Sequence, residues 1–71
     1  ATLLHEARTA LSEGDAPRAR SRIAAALAAH PGLRERATAD LLLANALLVE
    51  GRPDRAAEAY RDLAARHPDQ P

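Results

Sequence analysis

The feature of this sequence that most constrains its fold is an internal repeat with a period of 37 residues. A turn glycine, several small or apolar residues and a His-Pro pair all return at this spacing, although most other positions differ. Periods of about 20 to 50 residues are typical of stacked supersecondary units that cannot bury their apolar faces alone. The matched pairs are Gly14 and Gly51, Ala19 and Ala56, Ile23 and Tyr60, Ala26 and Leu63, His30 and His67, and Pro31 and Pro68.

The composition indicates that each repeated unit is helical. Most of the apolar residues are Ala and Leu, and the chain has one Ile, one Val and one Tyr. Ala, Leu, Arg and Glu favour helices, whereas the β-branched and aromatic residues that favour strands are nearly missing. Because Gly and Pro divide the chain into four stretches, we predict an all-α fold with helices over residues 2–13, 16–29, 33–50 and 53–66.

The residues between these stretches carry the signals of helix ends. Gly14 and Gly51 stand where a left-handed residue commonly terminates a helix, and Asp15 is a good N-cap for the second helix. Pro17 and Pro53 fall in first turns, where the missing N–H costs nothing and the fixed φ suits the helix. The sequence therefore predicts two helical hairpins with turns near Gly14 and Gly51.

Charge and composition argue against several classes of function. Ten Arg, no Lys and ten acidic residues give a net charge of zero, so no overall field attracts nucleic acid or a membrane surface. No apolar run is long enough to span a bilayer, and without Cys there is no disulfide or thiolate chemistry. The sequence has no phosphate-binding glycine loop and no oriented catalytic triad. We therefore expect no enzyme activity, no cofactor and no metal site.

The residues within the repeat resemble those of the tetratricopeptide repeat family. The resemblance implies two helix-turn-helix repeats, residues 1–33 and 37–70, forming a short right-handed solenoid that serves as a protein–protein interaction scaffold. The family unit has three residues fewer, and we place the insertion at residues 34–36, where it would add about one turn to the third helix. Asp40 stands where the family often has Trp, and Glu6 replaces an apolar contact. The matching residues of the second unit are Leu43, Ala44, Leu47, Gly51, Ala56, Tyr60, Leu63 and Pro68, and those of the first are Ala7, Ala10, Gly14, Ala19, Ile23, Ala26 and Pro31.

The third helix points to a binding surface because its second half is apolar on nearly every side, which requires burial on every side. We expect Leu43, Ala44 and Leu47 to face their own hairpin, and Tyr60 of the fourth helix to be largely buried against it. The opposite face would be the inner wall of the family's concave groove. Packing on the first hairpin alone is the other explanation for this face. The candidate groove residues are Leu4, Arg8, Leu11, Thr38, Leu41, Asn45, Leu48 and Val49.

Some family members hold a partner's C-terminal carboxylate with a clamp of Lys, Asn and Arg. Here the matching places hold Leu4, Arg8 and Leu42, so that clamp is missing and the resemblance implies an apolar or amphipathic ligand. His30 and His67 are interpreted as residues that suit the C-terminal ends of helices, since their spacing is unlike that of a metal site.

Self-assembly is the alternative function. Leu41, Leu48 and Val49 exceed what one hairpin can cover, and exposed aliphatic patches of this kind favour association, so a homodimer through these residues is expected. A third alternative is a structural segment of a longer repeat array. Arg without Lys suggests a bacterial protein, and both ends suggest a fragment of a longer chain. The sequence leaves a cytoplasmic and a periplasmic location equally open.

Overall fold

The structure, a computed structural model, describes residues 2–30, 32 and 35–68, and it confirms the all-α fold: these ranges form helices joined by turns, with no strand among them. Helix α1 packs on α2, α3 packs on α4, and α2 and α3 join the two hairpins. Within the described part of the chain, no helix is long and apolar enough to cross a membrane. The helices are α1 (Leu3–Ser12), α2 (Ala16–Ala29), α3 (Arg36–Val49) and α4 (Pro53–Arg66).

The two hairpin turns are built in the same way. Gly14 and Gly51 both have left-handed backbones, with φ of 77° and 76°, which a residue without Cβ adopts at little cost. In the first turn the Gly14 N–H donates to the Leu11 carbonyl at 3.0 Å, and the next N–H, of Asp15, reaches back to Ala10 at 2.8 Å. The second turn repeats both hydrogen bonds. These are Schellman caps, and they confirm the predicted helix ends.

The starts of α2 and α4 agree with the sequence prediction, whereas the start of α3 differs. The Asp15 carboxylate accepts a hydrogen bond from the Arg18 N–H at 3.1 Å, which confirms the predicted N-cap of α2. Helix α3 begins at Arg36, with Glu35 as its N-cap residue, and not at residue 33. Residues 33 and 34 lie outside the described residues. The predicted extra helical turn is therefore wrong at Glu35. The backbone of this residue is not helical, and its side chain makes no capping hydrogen bond.

The hydrophobic core lies where α1, α2 and α3 meet. Ile23 of α2 is completely buried there, and Leu42 of α3 is 4% exposed. Small alanines bring the helices close together, since larger side chains at these positions would separate their axes. The buried cluster consists of Ala7, Ala10, Ala19, Ile23, Ala39 and Leu42, with Leu4, Leu11, Leu27 and Leu43 packed around it.

The second hairpin contributes fewer fully buried side chains than the first. Leu43 packs against the core shared by the first three helices. Tyr60 is partly buried, whereas Ile23, its counterpart in the first repeat, is completely buried. The physical reason is that α2 has neighbours on two sides, whereas α4 packs only on α3. Ala56, the counterpart of Ala19 in the first repeat, is the single fully buried residue that α4 contributes.

Candidate partner-binding groove

One face of α3 carries large aliphatic side chains that the rest of the described chain covers only in part. Leu41, Leu48 and Val49 are 41%, 49% and 43% exposed, the largest exposures among the large hydrophobic residues that the structure describes. Their spacing of seven and eight residues places them on one side of the helix, because two turns span about seven residues. Thr38, one turn before Leu41, is half-buried on the same side. The sequence predicted this surplus of exposed apolar surface, and the structure contains it.

Helix α1 contributes the candidate residues of the first repeat in two different ways. Leu4 and Leu11 are half-buried and pack against the core, so each shows only part of its side chain to solvent. Arg8 lies between them in sequence and is exposed. Contact between α1 and α3 sets the two helices side by side. The candidate residues of the two repeats therefore lie on neighbouring helices, and Arg8 adds one positive charge to the set.

A cavity of about 830 Å³ lies between the start of α1, the end of α2 and the start of α3. It brings together three of the candidate residues, Leu4, Arg8 and Thr38. The structure does not place Leu41, Leu48 or Val49 around it, so the candidate set divides into a cavity and an aliphatic strip. Among the described residues, the lining is Thr2, Leu3, Leu4, His5, Arg8, Ala26, His30, Gly32, Glu35 and Thr38.

Asn45 corrects the predicted orientation of the groove residues. Its side-chain oxygen accepts a hydrogen bond from the Tyr60 hydroxyl, so the amide reaches α4 and not only the face opposite its own hairpin. The physical reason is that a half-buried tyrosine needs a partner for its hydroxyl. The sequence offered a weak signal, because Asn45 is the one amide in an apolar run. Its role is partly structural.

The main electrostatic feature is a cluster around Asp40, which is only 8% exposed. The imidazole Nε2 of His67 lies 2.9 Å from one carboxylate oxygen, and Arg36 donates to the other at 3.2 Å. A guanidinium nitrogen of Arg66 is 3.9 Å away. Burial acts to raise the pKa of Asp40, but the hydrogen bonds from His67 and Arg36 and the two positive guanidinium groups together lower it below its usual value.

This cluster joins the start of α3 to the end of α4, and sequence reasoning missed it. The available signal was the departure from the family pattern, since Asp40 stands in place of an aromatic residue. His67 does end α4, as predicted, and its backbone N–H donates to Leu63 at 2.9 Å. Its ring, however, serves the Asp40 carboxylate rather than the helix terminus alone. Arg66 likewise pairs with Asp40.

Other ion pairs occupy the arginines of α2. Arg20 contacts Glu50 at 2.9 Å and joins α2 to the end of α3. Arg22 lies 3.6 Å from Glu6, the residue that replaces an apolar contact in the family pattern. Both arginines stay partly exposed, and Nε of Arg22 and Oε1 of Glu50 have no hydrogen-bond partner among the described residues. The face of α1 and α3 remains the better candidate for a contact surface.

Comparison with known protein families identifies the fold. The tetratricopeptide repeat model matches residues 4–71, nearly the whole chain. Comparisons with curated proteins and with solved structures gave no match. The chain belongs to the tetratricopeptide repeat family, whose repeats generally act as non-catalytic scaffolds that mediate protein–protein interactions.

Proposed function

We propose that this tetratricopeptide repeat chain binds an apolar or amphipathic segment of a partner protein along the face formed by α1 and α3. The two repeats, residues 1–33 and 37–70, would act as one unit without catalytic activity or a cofactor. The observation that carries the proposal is the row of exposed aliphatic side chains on α3, Leu41, Leu48 and Val49. Contiguous apolar surface of this kind is typical of interaction sites.

The magnitude of the available hydrophobic energy favours binding of a short segment. Full burial of an exposed Leu or Val side chain is worth about 1.5 to 3 kcal/mol. Leu41, Leu48 and Val49 are each a little under half exposed, so each contributes about 1 kcal/mol when covered. That supports modest affinity, because association itself has an entropic cost of several kcal/mol. Polar groups along the same face would then set the position of the segment.

An amphipathic helix is the simplest segment that fits this face. Its apolar side would cover the strip on α3, while its polar side stays in water, as in other complexes where a helix lies in a groove. Arg8 and Thr38 line the cavity and offer donors to the segment. The face therefore combines an aliphatic surface with a small number of polar contacts, the usual composition of a peptide site.

The test measures binding of two fluorescent peptides with identical composition. One has Leu spaced so that an apolar side forms on a helix, and the other has the same residues scrambled. We expect the first peptide to bind and the scrambled one not to bind, as measured by fluorescence anisotropy. Leu48→Ser should weaken binding about five- to tenfold, because it removes apolar contact on the strip.

The matched control is Ala25→Ser, at an exposed position of α2 away from the proposed face. It should leave the affinity within about twofold, since surface changes distant from a contact have small effects. Equal loss of binding in both variants, or equal binding of both peptides, would contradict the proposal. Circular dichroism of each variant checks that the helices remain formed.

Self-assembly is a second candidate, favoured by the same exposed strip on a chain of 71 residues. Two copies could cover Leu41, Leu48 and Val49 on each other in a homodimer with two-fold symmetry. Sedimentation equilibrium would then find a dimer whose population grows with concentration. Leu48→Asp should restore the monomer while the helices persist. A wild-type chain that stays monomeric at millimolar concentration would exclude self-assembly and leave the binding of a foreign segment.

A further inference from the structure

Helix α4 is attached to the rest of the molecule through one other helix. Within the described ranges it packs on α3 alone. The hydroxyl of Tyr60 donates to Asn45, and at the end of α4 the ring of His67 lies 2.9 Å from the carboxylate of Asp40. Asn45 and Asp40 both belong to α3. Detachment of α4 would therefore break its contacts with one helix and leave the other helix pairs as they are.

The apolar core does not depend on α4. The buried cluster consists of residues of α1, α2 and α3, and none of the described residues of α4 belongs to it. Helix α4 contributes one fully buried residue, Ala56. The ion pair between Arg20 of α2 and Glu50 at the end of α3, at 2.9 Å, joins the two hairpins without α4. The packing of α1, α2 and α3 can therefore persist when α4 moves away.

One side of α3 is covered by α4. Asp40 lies on this side, as its contact with His67 shows. Ala44 and Leu47 follow Asp40 by four and seven residues, so the three share one side of the helix. Ala44 is completely buried and Leu47 is half-buried. Departure of α4 would therefore expose both residues, next to Leu48 of the aliphatic strip.

The cluster around Asp40 lies where it can hold α4 against α3. Local unfolding commonly begins at helix ends, and His67 and Arg66 stand at the end of α4 that is far from the turn at Gly51. Asp40 itself is only 8% exposed. Hydrogen bonds to an ionised carboxylate are stronger than those between neutral groups. Loss of these contacts should therefore favour opening of α4.

We propose that α4 is a detachable cover of α3, and that the cluster around Asp40 holds it closed. Helix α4 opens as one unit while α1, α2 and α3 remain packed together. The open state adds the side of α3 at Ala44 and Leu47 to the apolar surface that the closed state already exposes. The proposed function needs only the aliphatic strip of the closed state, so the cover is a separate property of the chain.

Amide hydrogen exchange of the 71-residue chain, followed by NMR, measures the opening of each helix separately. Amides in the middle of α2 report on the core of the first three helices, and those in the middle of α4 report on the cover. We expect the α4 amides to be protected at least about tenfold less than those of α2, because α4 opens without unfolding the core. Equal protection of the two helices would overturn the proposal, since it would mean that they open together.

The variant Ile23→Val tests whether the core stays formed when α4 opens. The change shortens a completely buried side chain, so it should lower the protection of α2 about three- to tenfold. The protection of α4 should stay within about twofold of wild type, because the closed and the open state lose the same core contact. A fall of equal size in both helices would show that the chain opens as one cooperative unit, without a separate cover.

The variant Asp40→Asn tests whether the cluster holds the cover. It should lower the protection of α4 about tenfold, because charge-assisted hydrogen bonds of the closed state are weakened. The protection of α2 should fall as well, since the closed state is the reference for both openings.

The matched control is Glu50→Gln, which also removes the charge of a carboxylate at α3 but breaks an ion pair to α2. This pair is present whether α4 is closed or open, so the protection of α4 should stay within about twofold of wild type. Equal effects of Asp40→Asn and Glu50→Gln on the α4 amides would reject the cluster as the contact that holds the cover.

Discussion

The two hairpins share one sequence pattern but are held together differently. The first contributes Ile23, completely buried, to an apolar core that it shares with α3. The second holds α4 through one buried alanine, the hydrogen bond between Tyr60 and Asn45 and the charged cluster around Asp40. This difference shows that the burial of a helix depends on how many neighbouring helices it has, as well as on the repeat pattern. A helix with one neighbour is held more by polar contacts.

The largest expected effect is a difference in the free energy of unfolding between variants at the matched positions 23 and 60. Ile23→Ala should reduce the free energy of unfolding by about 2 to 4 kcal/mol, because it removes buried methyl groups and leaves a cavity. Tyr60→Ala should cost about 1 to 2 kcal/mol, since Tyr60 is half-buried and loses less apolar contact. Urea denaturation of both variants measures the difference. Equal losses would mean that the hairpins are equally well packed and would break the comparison.

A smaller effect is expected for Asp40→Asn, about 1 to 2 kcal/mol near neutral pH, because charge-assisted hydrogen bonds to a buried carboxylate are lost. The lowered pKa of Asp40 fixes the sign of the pH dependence. A carboxyl group with a lower pKa in the folded state stabilises the fold above its unfolded pKa, near pH 4, and loses that contribution as the pH falls further. The stability difference between wild type and variant should therefore shrink as the solution is acidified from about pH 5 to pH 3.

The control for this effect is Asp54→Asn, at an exposed position of α4 with no ion pair to a described residue. It should leave the acid dependence of unfolding nearly unchanged. An acid dependence that is the same in Asp40→Asn and in wild type would remove the charged cluster from the account of the second hairpin. Chemical denaturation at several pH values provides both measurements.

The smallest expected effect concerns the hydroxyl of Tyr60, which joins α4 to α3 through its hydrogen bond to Asn45. Tyr60→Phe removes the hydrogen bond to Asn45 and keeps the ring, so it should cost about 0.5 to 1.5 kcal/mol. In the Asn45→Ala background, Tyr60→Phe should cause no further loss in the free energy of unfolding. A double-mutant cycle measured by chemical denaturation detects this as coupling between the two residues. Additive effects of the two changes would show that the hydroxyl and the amide act independently.

Features that depend on neighbouring residues were predicted from the sequence, whereas contacts between residues far apart in the chain were not. Gly14, Gly51 and Asp15 act through backbone geometry within one turn, and their predicted roles are confirmed. The partners of Asp40 and Asn45 are 27 and 15 residues away. Helical spacing cannot choose among such partners, since the choice depends on which side chains the packed helices bring together.

The candidate groove likewise has one part that the sequence predicted and one part that it did not. The exposure of Leu41, Leu48 and Val49 followed from counting apolar residues on one helix. The cavity did not, because it forms where three helix ends meet and where Ala26 is smaller than its counterpart in the other repeat. Periodicity predicts which side of a helix is apolar, but it does not predict the space that remains between helices after packing.

The central claim is that the face of α1 and α3, and not the outer side of α4, receives the partner. The most direct measurement is an NMR titration of the chain, labelled at Leu and Val methyl groups, with the amphipathic peptide. The account predicts that the methyl signals of Leu41, Leu48 and Val49 shift together and saturably, while those of Leu63 on α4 stay in place. Shifts centred on Leu63, with Leu41, Leu48 and Val49 unaffected, would contradict it.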